Sequence, residues 1–231
     1  MDLNPVSDPV ASVPAMLFPS DCAVCGSPGP PMCRDCRRRL TRAGPVVLPP
    51  GLDRCTALLE YGGAGRDLVL ALKYGNRRTL VGPLGRAMVT LVEGPVEVVT
   101  WIPTTARRRR ERGYDQARLL AREIARGLGR PCRGLLHRAP GPAQTGRGLA
   151  QRQHGPGLTT RGVVPGSVLL VDDVLTTGAS LAAGAAALRG AGADRIEGVT
   201  VAVTALKVRL AAAENVTIDS SQDERGPRAC R

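Results

Sequence analysis

Aromatic residues are scarce in this sequence, which has one Trp, three Tyr and one Phe among 231 residues. Proteins that bind single-stranded nucleic acid without sequence preference stack bases on such rings, so the small number argues against a surface devoted to base stacking. No apolar stretch approaches the roughly 18 residues that a membrane span requires. The first residues lack a basic segment followed by an apolar one, so we expect neither a secretory signal nor membrane insertion.

Acidic residues are also few relative to basic ones, with 20 Asp and Glu against 32 Lys and Arg and a net charge of +12. The excess is concentrated, because residues 101–170 carry 14 basic and 3 acidic side chains. A basic segment of this kind indicates an anionic partner such as a phosphate, a nucleotide or a nucleic acid. Since 30 of the basic residues are Arg, a GC-rich genome and solvated surface arginines are an alternative explanation.

Seven cysteines, an odd number, predict a reduced, cytoplasmic protein whose clustered thiols bind metal. Four of them form two close pairs, Cys22 with Cys25 and Cys33 with Cys36. Both sulfurs of a Cys-x-x-Cys turn can face one ion, so two such turns predict a tetrahedral, structural Zn²⁺ site. The alternatives are a chance grouping of cysteines or a disulfide pair in place of the metal.

Apolar segments of strand length alternate with helical patterns along most of the chain. Residues 96–102, 167–171 and 196–203 are continuous apolar runs, as is typical of strands buried on both faces of a sheet. Amphipathic or Ala-rich helical patterns at residues 114–128 and 180–188 stand between them. This order predicts an α/β fold with a parallel sheet covered by helices on both faces.

Composition divides the chain into four parts. Residues 1–20 contain four prolines without periodicity and are expected to form a flexible leader, and the polar residues 214–231 a disordered tail. Residues 21–50 are predicted to form a zinc-binding module with a Pro-rich linker, and residues 51–213 the main domain. Within that domain, residues 139–162 are too long for an ordinary connection, which predicts a functional loop.

The most informative segment runs from Val168 to Ser180 and reads VLLVDDVLTTGAS. Its apolar strand brings Asp172 and Asp173 to the carboxyl end of the sheet, where α/β proteins bind ligands. The turn that follows consists of Thr176, Thr177, Gly178, Ala179 and Ser180. It leads into a helix whose backbone N–H groups and dipole favour an anion. Carboxylates beside a phosphate cradle indicate a 5-phosphorylated ribose that carries a Mg²⁺-binding group.

This segment resembles, over all 13 positions, the phosphoribosyl diphosphate signature of type I phosphoribosyltransferases. The resemblance implies a type I phosphoribosyltransferase-like fold in which Asp172 and Asp173 contact the ribose hydroxyls. It also implies that residues 176–180 hold the 5-phosphate and that Mg²⁺ accompanies the phosphoribosyl diphosphate.

A second segment, from Trp101 to Gln116, follows the first apolar run and contains a dense cluster of arginines. Guanidinium groups at a strand's carboxyl end can hold a pyrophosphate by bidentate contacts, or nucleic-acid phosphates less specifically. Six motifs follow one another along the chain. In order, they are the four-Cys module, Lys73-Tyr74, an Ile-Pro loop, Arg-Gly-Tyr-x-Gln, Gln144-Thr and the phosphoribosyl signature. In that order they resemble the ComF family of competence-associated proteins with a phosphoribosyltransferase domain.

The ComF resemblance implies roles for two further sets of residues. The residues implied for the pyrophosphate loop are Pro103, Thr104, Thr105 and Arg112. Gln144 and Arg152 belong by the same resemblance to a mobile hood that shields the reaction from water. The sequence departs from the family at Asp115, where an Asn is usual.

Two functional hypotheses follow. The first is a Mg²⁺-dependent phosphoribosyltransferase-like protein of nucleotide metabolism, which binds phosphoribosyl diphosphate and transfers phosphoribose to an unidentified acceptor. The alternative is a DNA-uptake protein that binds single-stranded DNA, or partners of the uptake machinery, with a regulatory or non-catalytic phosphoribosyl site.

Overall fold

The computed structural model of the chain describes residues 21–138, 157–160, 162–164 and 166–204. The strands are β1 (Arg54–Glu60), β2 (Val98–Trp101), β3 (Leu136–Arg138), β4 (Leu158–Thr160), β5 (Ser167–Leu175) and β6 (Arg195–Val203). The α-helices are α1 (Arg34–Arg38), α2 (Gly63–Tyr74), α3 (Val81–Val89), α4 (Ala106–Arg112), α5 (Gln116–Leu128) and α6 (Ala179–Gly190). The expected leader, the expected tail and most of the expected loop at 139–162 lie outside the described residues.

The main sheet has four strands in the order β1-β6-β5-β2, and every neighbouring pair is parallel. Its inner strand β5 contains four consecutive buried apolar residues at 168–171, which suits a strand that is covered on both faces. The predicted α/β fold with a parallel sheet is therefore confirmed. No helix within the described ranges is long and apolar enough to cross a bilayer.

Two apolar layers enclose the sheet. Helices α2, α3 and α5 cover one face, where Leu72, Ile124 and Leu169 are fully buried. Helix α6 covers the other face, with Leu181 packed in the same core cluster as Leu170. Adjacent residues of β5 thus point into opposite layers, and each fully buried side chain contributes about 1.5–3 kcal/mol.

The N-terminal module is attached along the outer edge of the sheet. The Glu60 N–H donates to the Thr41 carbonyl at 2.9 Å, and the Ala43 N–H donates to the Leu58 carbonyl at 3.2 Å, so residues 41–43 pair with β1. Met32 and Leu40 pack against the core on the α2 side. At the opposite edge, residues 131–133 pair with Val99 of β2.

Two short features follow the outer strand β2 along the chain. Cys132 forms a single bridge with Val99, and β3 begins at Leu136, where it pairs with β4. The arginine cluster after β2 forms helix α4. Its N-cap is Thr105, whose Oγ1 accepts the Arg108 N–H at 3.2 Å, and it ends at Gly113, whose φ of 76° suits a residue without Cβ.

Candidate functional site

A cavity of about 200 Å³ opens at the carboxyl ends of β2 and β5. Its polar lining consists of Lys73, Thr104, Arg108, Arg112, Asp115, Gln116, Arg138, Asp172, Asp173, Thr176 and Ser180. These residues come from α2, α4, α5, α6, β3, β5 and the loops that follow β2 and β5. Parallel α/β sheets bind their ligands at this edge, because loops from neighbouring strands converge there.

The two adjacent carboxylates of β5 have different surroundings. Asp173 Oδ1 lies 3.2 Å from Lys73 Nζ, and these two side chains are only 17% and 19% exposed. Asp172 Oδ1 accepts the backbone N–H of Asp173 at 2.8 Å. Burial, together with the charge of Asp173, raises the pKa of Asp172 to about 8. A cation or a hydroxyl donor in the cavity would stabilise the charged form of Asp172.

The turn after β5 forms a second, smaller recess. A cavity of about 20 Å³ is lined by residues 174–181 together with Asp172. Gly178 has a φ of +82°, and a Cβ there would lie 3.2 Å from Pro49 Cγ, so both conformation and space favour glycine. Helix α6 begins at Ala179 without a side-chain cap, although the Ala179 N–H donates to Thr177 Oγ1 at 3.3 Å. The positive end of the α6 dipole therefore faces this recess, as in anion sites.

Arginines form the opposite wall of the larger cavity. Arg108 and Arg112 are four residues apart in α4, so they lie on one face of that helix. Arg138 from β3 donates through Nε to the Pro103 carbonyl at 2.8 Å, which joins β3 to the loop after β2. Burial lowers the pKa of Arg138, and the neighbouring Arg108 lowers it further. Three guanidinium groups on one wall suit a polyvalent anion such as pyrophosphate, and none of them forms an ion pair with Asp115, Asp172 or Asp173 among the described residues.

The Arg-Gly-Tyr-x-Gln segment fixes the end of α2. The Tyr114 hydroxyl donates to the Leu72 carbonyl, and Gln116 Nε2 donates to the Lys73 carbonyl at 3.4 Å. The last four carbonyls of a helix lack partners within it, so these two side chains satisfy helix-end acceptors from outside. Arg112 lies over the Tyr74 ring at 4.9 Å and donates to its hydroxyl at 3.3 Å. Lys73 is thereby held beside Asp173.

Asp115 joins the loop after β2 to helix α5. Its Oδ1 accepts the N–H of Arg118 at 3.3 Å and caps α5, while its Oδ2 accepts the N–H of Thr104 at 3.1 Å. Each carboxylate oxygen thus has its own donor. An Asn side chain has only one carbonyl oxygen for the two donors, so the Asp found here suits this geometry.

The structure brings together most of the residues singled out in the sequence. Asp172, Asp173, Thr176, Ser180, Pro103, Thr104 and Arg112 line the larger cavity, and Thr177, Gly178 and Ala179 line the smaller one. Arg112 lies in α4 and not in the loop, and Thr105 caps that helix. Gln144 and Arg152 lie outside the described residues.

Sequence reasoning missed Arg108 and Arg138 as lining residues. Arg108 could have been found, because Thr105 and Gly113 are typical first and last residues of a short helix that sets Arg108 and Arg112 on one face. Arg138 had no local signal, since its position depends on the pairing of β3 with β4.

The four thiols of the N-terminal module are close together. The Sγ atoms of Cys22, Cys25, Cys33 and Cys36 all lie within 4.8 Å of one another, and those of Cys25 and Cys33 are 3.8 Å apart. Tetrahedral Zn²⁺ with Zn–S bonds of about 2.3 Å requires sulfurs roughly 3.8 Å apart. Burial acts to raise the pKa of Cys22, but hydrogen bonds from Cys33 and Cys25 outweigh it and lower the pKa to about 6. A thiolate donor set of this shape can hold one metal ion.

Solved structures of other proteins resemble this chain in part. Glutamine phosphoribosylpyrophosphate (PRPP) amidotransferase from B. subtilis matches with 25% sequence identity and a TM-score of 0.40, over 54% of this chain and 26% of that protein. The chain thus spans 26% of the amidotransferase's length. Adenine phosphoribosyltransferase from Leishmania donovani matches with 18% identity and a TM-score of 0.35, over 80% of this chain and 72% of the enzyme.

A third match is TT1426 from Thermus thermophilus, with 19% identity and a TM-score of 0.33, over 59% of this chain and 78% of that protein. No family model matches the sequence, and no curated protein matches it.

Proposed function

We propose that this protein binds phosphoribosyl diphosphate with Mg²⁺ and transfers the phosphoribosyl group to a nucleophilic acceptor. The observation that supports the proposal is the arrangement around one cavity. The carboxylates of Asp172 and Asp173 lie between the recess at the start of α6 and the arginines of α4 and β3. The carboxylates would contact the ribose hydroxyls of that ligand, the recess would hold its 5-phosphate, and the arginines would hold its pyrophosphate.

The proposed reaction exchanges one bond at C1 of the ribose. The bond from C1 to the pyrophosphate oxygen breaks, the acceptor atom forms a bond to C1, the acceptor's proton is released, and pyrophosphate leaves with the bonding electron pair. Arg108, Arg112 and Arg138 would bind the pyrophosphate and the negative charge that grows on it. The acidic pair would orient the sugar and face the positive charge that develops on its ring, so positioning and charge stabilisation supply the catalysis.

Mg²⁺ would be held together with the ligand. The carboxylate oxygens of Asp172 and Asp173 are the hard donors that this ion prefers, and Mg²⁺ is commonly bound by one or two carboxylates plus substrate phosphates. When bound, the ion would neutralise part of the charge of the pyrophosphate. Asp173 already has a cationic partner in Lys73 at 3.2 Å, whereas no described cation forms an ion pair with Asp172.

We also propose that the chain is a ComF-type protein of the cytoplasm. It would have a zinc module and linker at residues 21–50 and a phosphoribosyltransferase-like domain at residues 51–213. The order of the motifs along the chain and the close approach of four thiols support this assignment. Zn²⁺ would stabilise the module, since its thiolates fit a tetrahedral ion.

Isothermal titration of the full chain with phosphoribosyl diphosphate and MgCl₂ tests the first proposal. We expect saturable binding that weakens at least about tenfold in an Asp172→Asn/Asp173→Asn variant, the loss of roughly 1.4 kcal/mol or more. Asp67→Asn is the matched control, because Asp67 is a half-exposed acid of α2 away from the cavity. An absence of binding by the intact protein, or equal binding by both variants, would rule the proposal out.

Single-stranded DNA binding is the second candidate function. It is favoured by α4, which contains five arginines and buries none of its residues. Such an exposed cationic helix can contact a phosphate backbone, and the resulting affinity would fall steeply with salt. Replacement of the four arginines at 107–110 by alanine should then abolish salt-dependent DNA binding; affinity that survives this replacement would count against the candidate.

A further inference from the structure

A second cavity, of about 350 Å³, lies beside the first. We call it the tryptophan cavity, because Trp101 at the end of β2 forms part of its wall. The two cavities share Pro103, Thr104 and Asp115, so the loop after β2 separates them. A volume of this size is in the range of about 300–1,000 Å³ in which proteins bind small molecules.

Three arginines give the tryptophan cavity a strong positive charge. Arg109 comes from α4, and Arg118 and Arg122 are four residues apart in α5. None of the three forms an ion pair with a carboxylate of the described residues. Asp115 is the one acid among the lining residues, and its two oxygens already accept the backbone N–H groups of Thr104 and Arg118. The guanidinium groups are therefore available to an external anion.

Another part of the lining is apolar and includes a flat ring, beside the polar Thr104, Tyr114 and His137. Trp101, Leu119 and Leu136 contribute this part, and the Arg118 guanidinium lies over the indole at 5.7 Å from its centre. Indole and guanidinium planes both stack on nucleobases. An inorganic anion would leave the apolar part unused, and an uncharged aromatic compound would leave the arginines unpaired.

We propose that the tryptophan cavity binds a nucleoside 5′-phosphate unit. Arg109, Arg118 and Arg122 bind the phosphate, and the base packs against Trp101 and Leu119. Three guanidinium groups suit a ligand with a phosphate dianion better than they suit a ligand with a single carboxylate. The unit is either a free nucleotide or the end of a single strand, and the experiment below distinguishes these sources.

Helix α4 contributes to both cavities. Arg108 and Arg112 line the phosphoribosyl cavity, whereas Arg109, rotated by about 100° around the helix, lines the tryptophan cavity. The proposed nucleotide site thus adjoins the phosphoribosyl site and uses different charged side chains. The two sites can therefore be tested separately.

Trp101 is the single Trp of the chain, so intrinsic tryptophan fluorescence reports directly on this cavity. We expect AMP to change the fluorescence of the full chain saturably and adenosine to bind at least tenfold more weakly, because adenosine lacks the phosphate. Arg118→Gln/Arg122→Gln should weaken AMP binding at least tenfold. Isothermal titration also measures the affinity for AMP. Because it does not use the fluorescence of Trp101, its result does not depend on the contact between Arg118 and the indole.

Arg126→Gln is the matched control. Arg126 is the next residue in the same i, i+4 series on α5, is exposed, and pairs with Glu123 at 2.5 Å instead of lining the cavity. AMP binding should be unchanged in this variant. AMP also carries a 5-phosphorylated ribose that the phosphoribosyl cavity could bind, so Arg118→Gln/Arg122→Gln is compared with its parent in the Asp172→Asn/Asp173→Asn background as well. The tenfold loss should persist there, so that failure of the phosphoribosyl proposal and failure of this one give different results.

Any of three outcomes would overturn the proposal. The first is no saturable response to AMP or to a single-stranded oligothymidylate of about 12 nucleotides, and the second is equal affinity for adenosine and AMP. The third is an equal loss of AMP binding in Arg126→Gln and in Arg118→Gln/Arg122→Gln. Binding of the oligothymidylate at least tenfold tighter than AMP, with the same loss on arginine replacement, would support a strand end as the source. Tighter binding of AMP would support a free nucleotide.

Discussion

Asp172 illustrates how a residue that we propose for ligand binding can reduce the stability of the ligand-free protein. It is partly buried beside a second carboxylate, and both burial and that neighbour raise its pKa to about 8. Above that pH the fold must hold a charged carboxylate whose main compensating donor is the Asp173 N–H. A buried carboxylate of this kind costs folding stability, and such costs are common at functional sites.

The pH dependence of stability follows from this shift. Between the ordinary Asp pKa of 3.8 and about 8, the folded chain binds a proton that the unfolded chain has released, so this contribution to stability falls as the pH rises through that interval. Asp172→Asn removes the effect. We expect its melting temperature to exceed that of the wild type by at least about 2–4 °C at pH 8–9, because each pKa unit of the shift is worth about 1.4 kcal/mol and ~1 kcal/mol already moves the melting temperature of a domain of this size by that much.

Thermal melts of both proteins at pH 5 and pH 9 measure the effect. The difference in melting temperature should be larger at pH 9, whereas Asp67→Asn, with a half-exposed side chain, should follow the wild type at both values. A difference between wild type and Asp172→Asn that does not change with pH would contradict the shifted ionisation.

At the scale of elements, the segment between α4 and α5 serves as an external cap for α2. The Tyr114 hydroxyl and the Gln116 amide reach the carbonyls of Leu72 and Lys73, the acceptors that the end of a helix leaves unpaired. Gln116 is only 2% exposed, so its amide is committed to the interior. These hydrogen bonds hold the end of α2 in place. The position of the Lys73 ammonium group therefore depends on residues more than forty positions away in the sequence.

Removal of one of these hydrogen bonds should affect both stability and binding. Tyr114→Phe leaves the Leu72 carbonyl without its donor, and an unsatisfied buried acceptor costs about 1–3 kcal/mol. We expect the urea midpoint to fall accordingly and phosphoribosyl diphosphate to bind several-fold more weakly, as Lys73 loses its fixed position. Urea denaturation and isothermal titration measure the two effects.

Tyr61→Phe is the control for this variant, since the Tyr61 hydroxyl forms no hydrogen bond with the described residues and Tyr61 is partly buried as well. Its midpoint should stay close to that of the wild type. An equal loss in both variants would show that the Tyr114 hydroxyl contributes nothing specific.

At the scale of the whole molecule, the cysteine module and the main sheet share one apolar core. Met32 and Leu40 of the module pack on the core layer that contains Leu72 and Ile124. The module itself buries few side chains, among them Cys22 and Cys36, so a metal ion is the natural source of its stability.

Removal of the metal should therefore lower the stability of the whole chain. We expect about one Zn per chain in protein purified without chelators, and a lower melting temperature after chelation or in Cys22→Ser. Cys55→Ser is the control, because Cys55 is a buried thiol outside the cluster. Elemental analysis that finds clearly less than one metal ion per chain would contradict the metal assignment.

Features that depend on consecutive residues could be predicted from the sequence, whereas features that depend on distant pairing could not. The sheet was predictable because β5 contains the apolar run at residues 168–171 and β6 is mostly apolar, and the acidic pair because it follows the first of these runs directly. Helix α4 was missed because its arginines carry no apolar periodicity, so only its two end residues reveal it. The predicted set of cationic residues around the cavity lacked Arg138. This residue reaches the cavity only through the pairing of β3 with β4, which joins residues about twenty positions apart in the sequence.

The pairing of residues 41–43 with β1 has a consequence for solubility. An open strand edge is a template for association with other chains, and here short segments cover part of both edges, at Leu58–Glu60 on one side and Val99 on the other. The cover of the first edge continues directly from the cysteine module. If the four thiols hold a metal ion, its removal should loosen that cover and expose unpaired N–H and C=O groups, so we expect the metal-free protein to aggregate more readily as well as to unfold more easily.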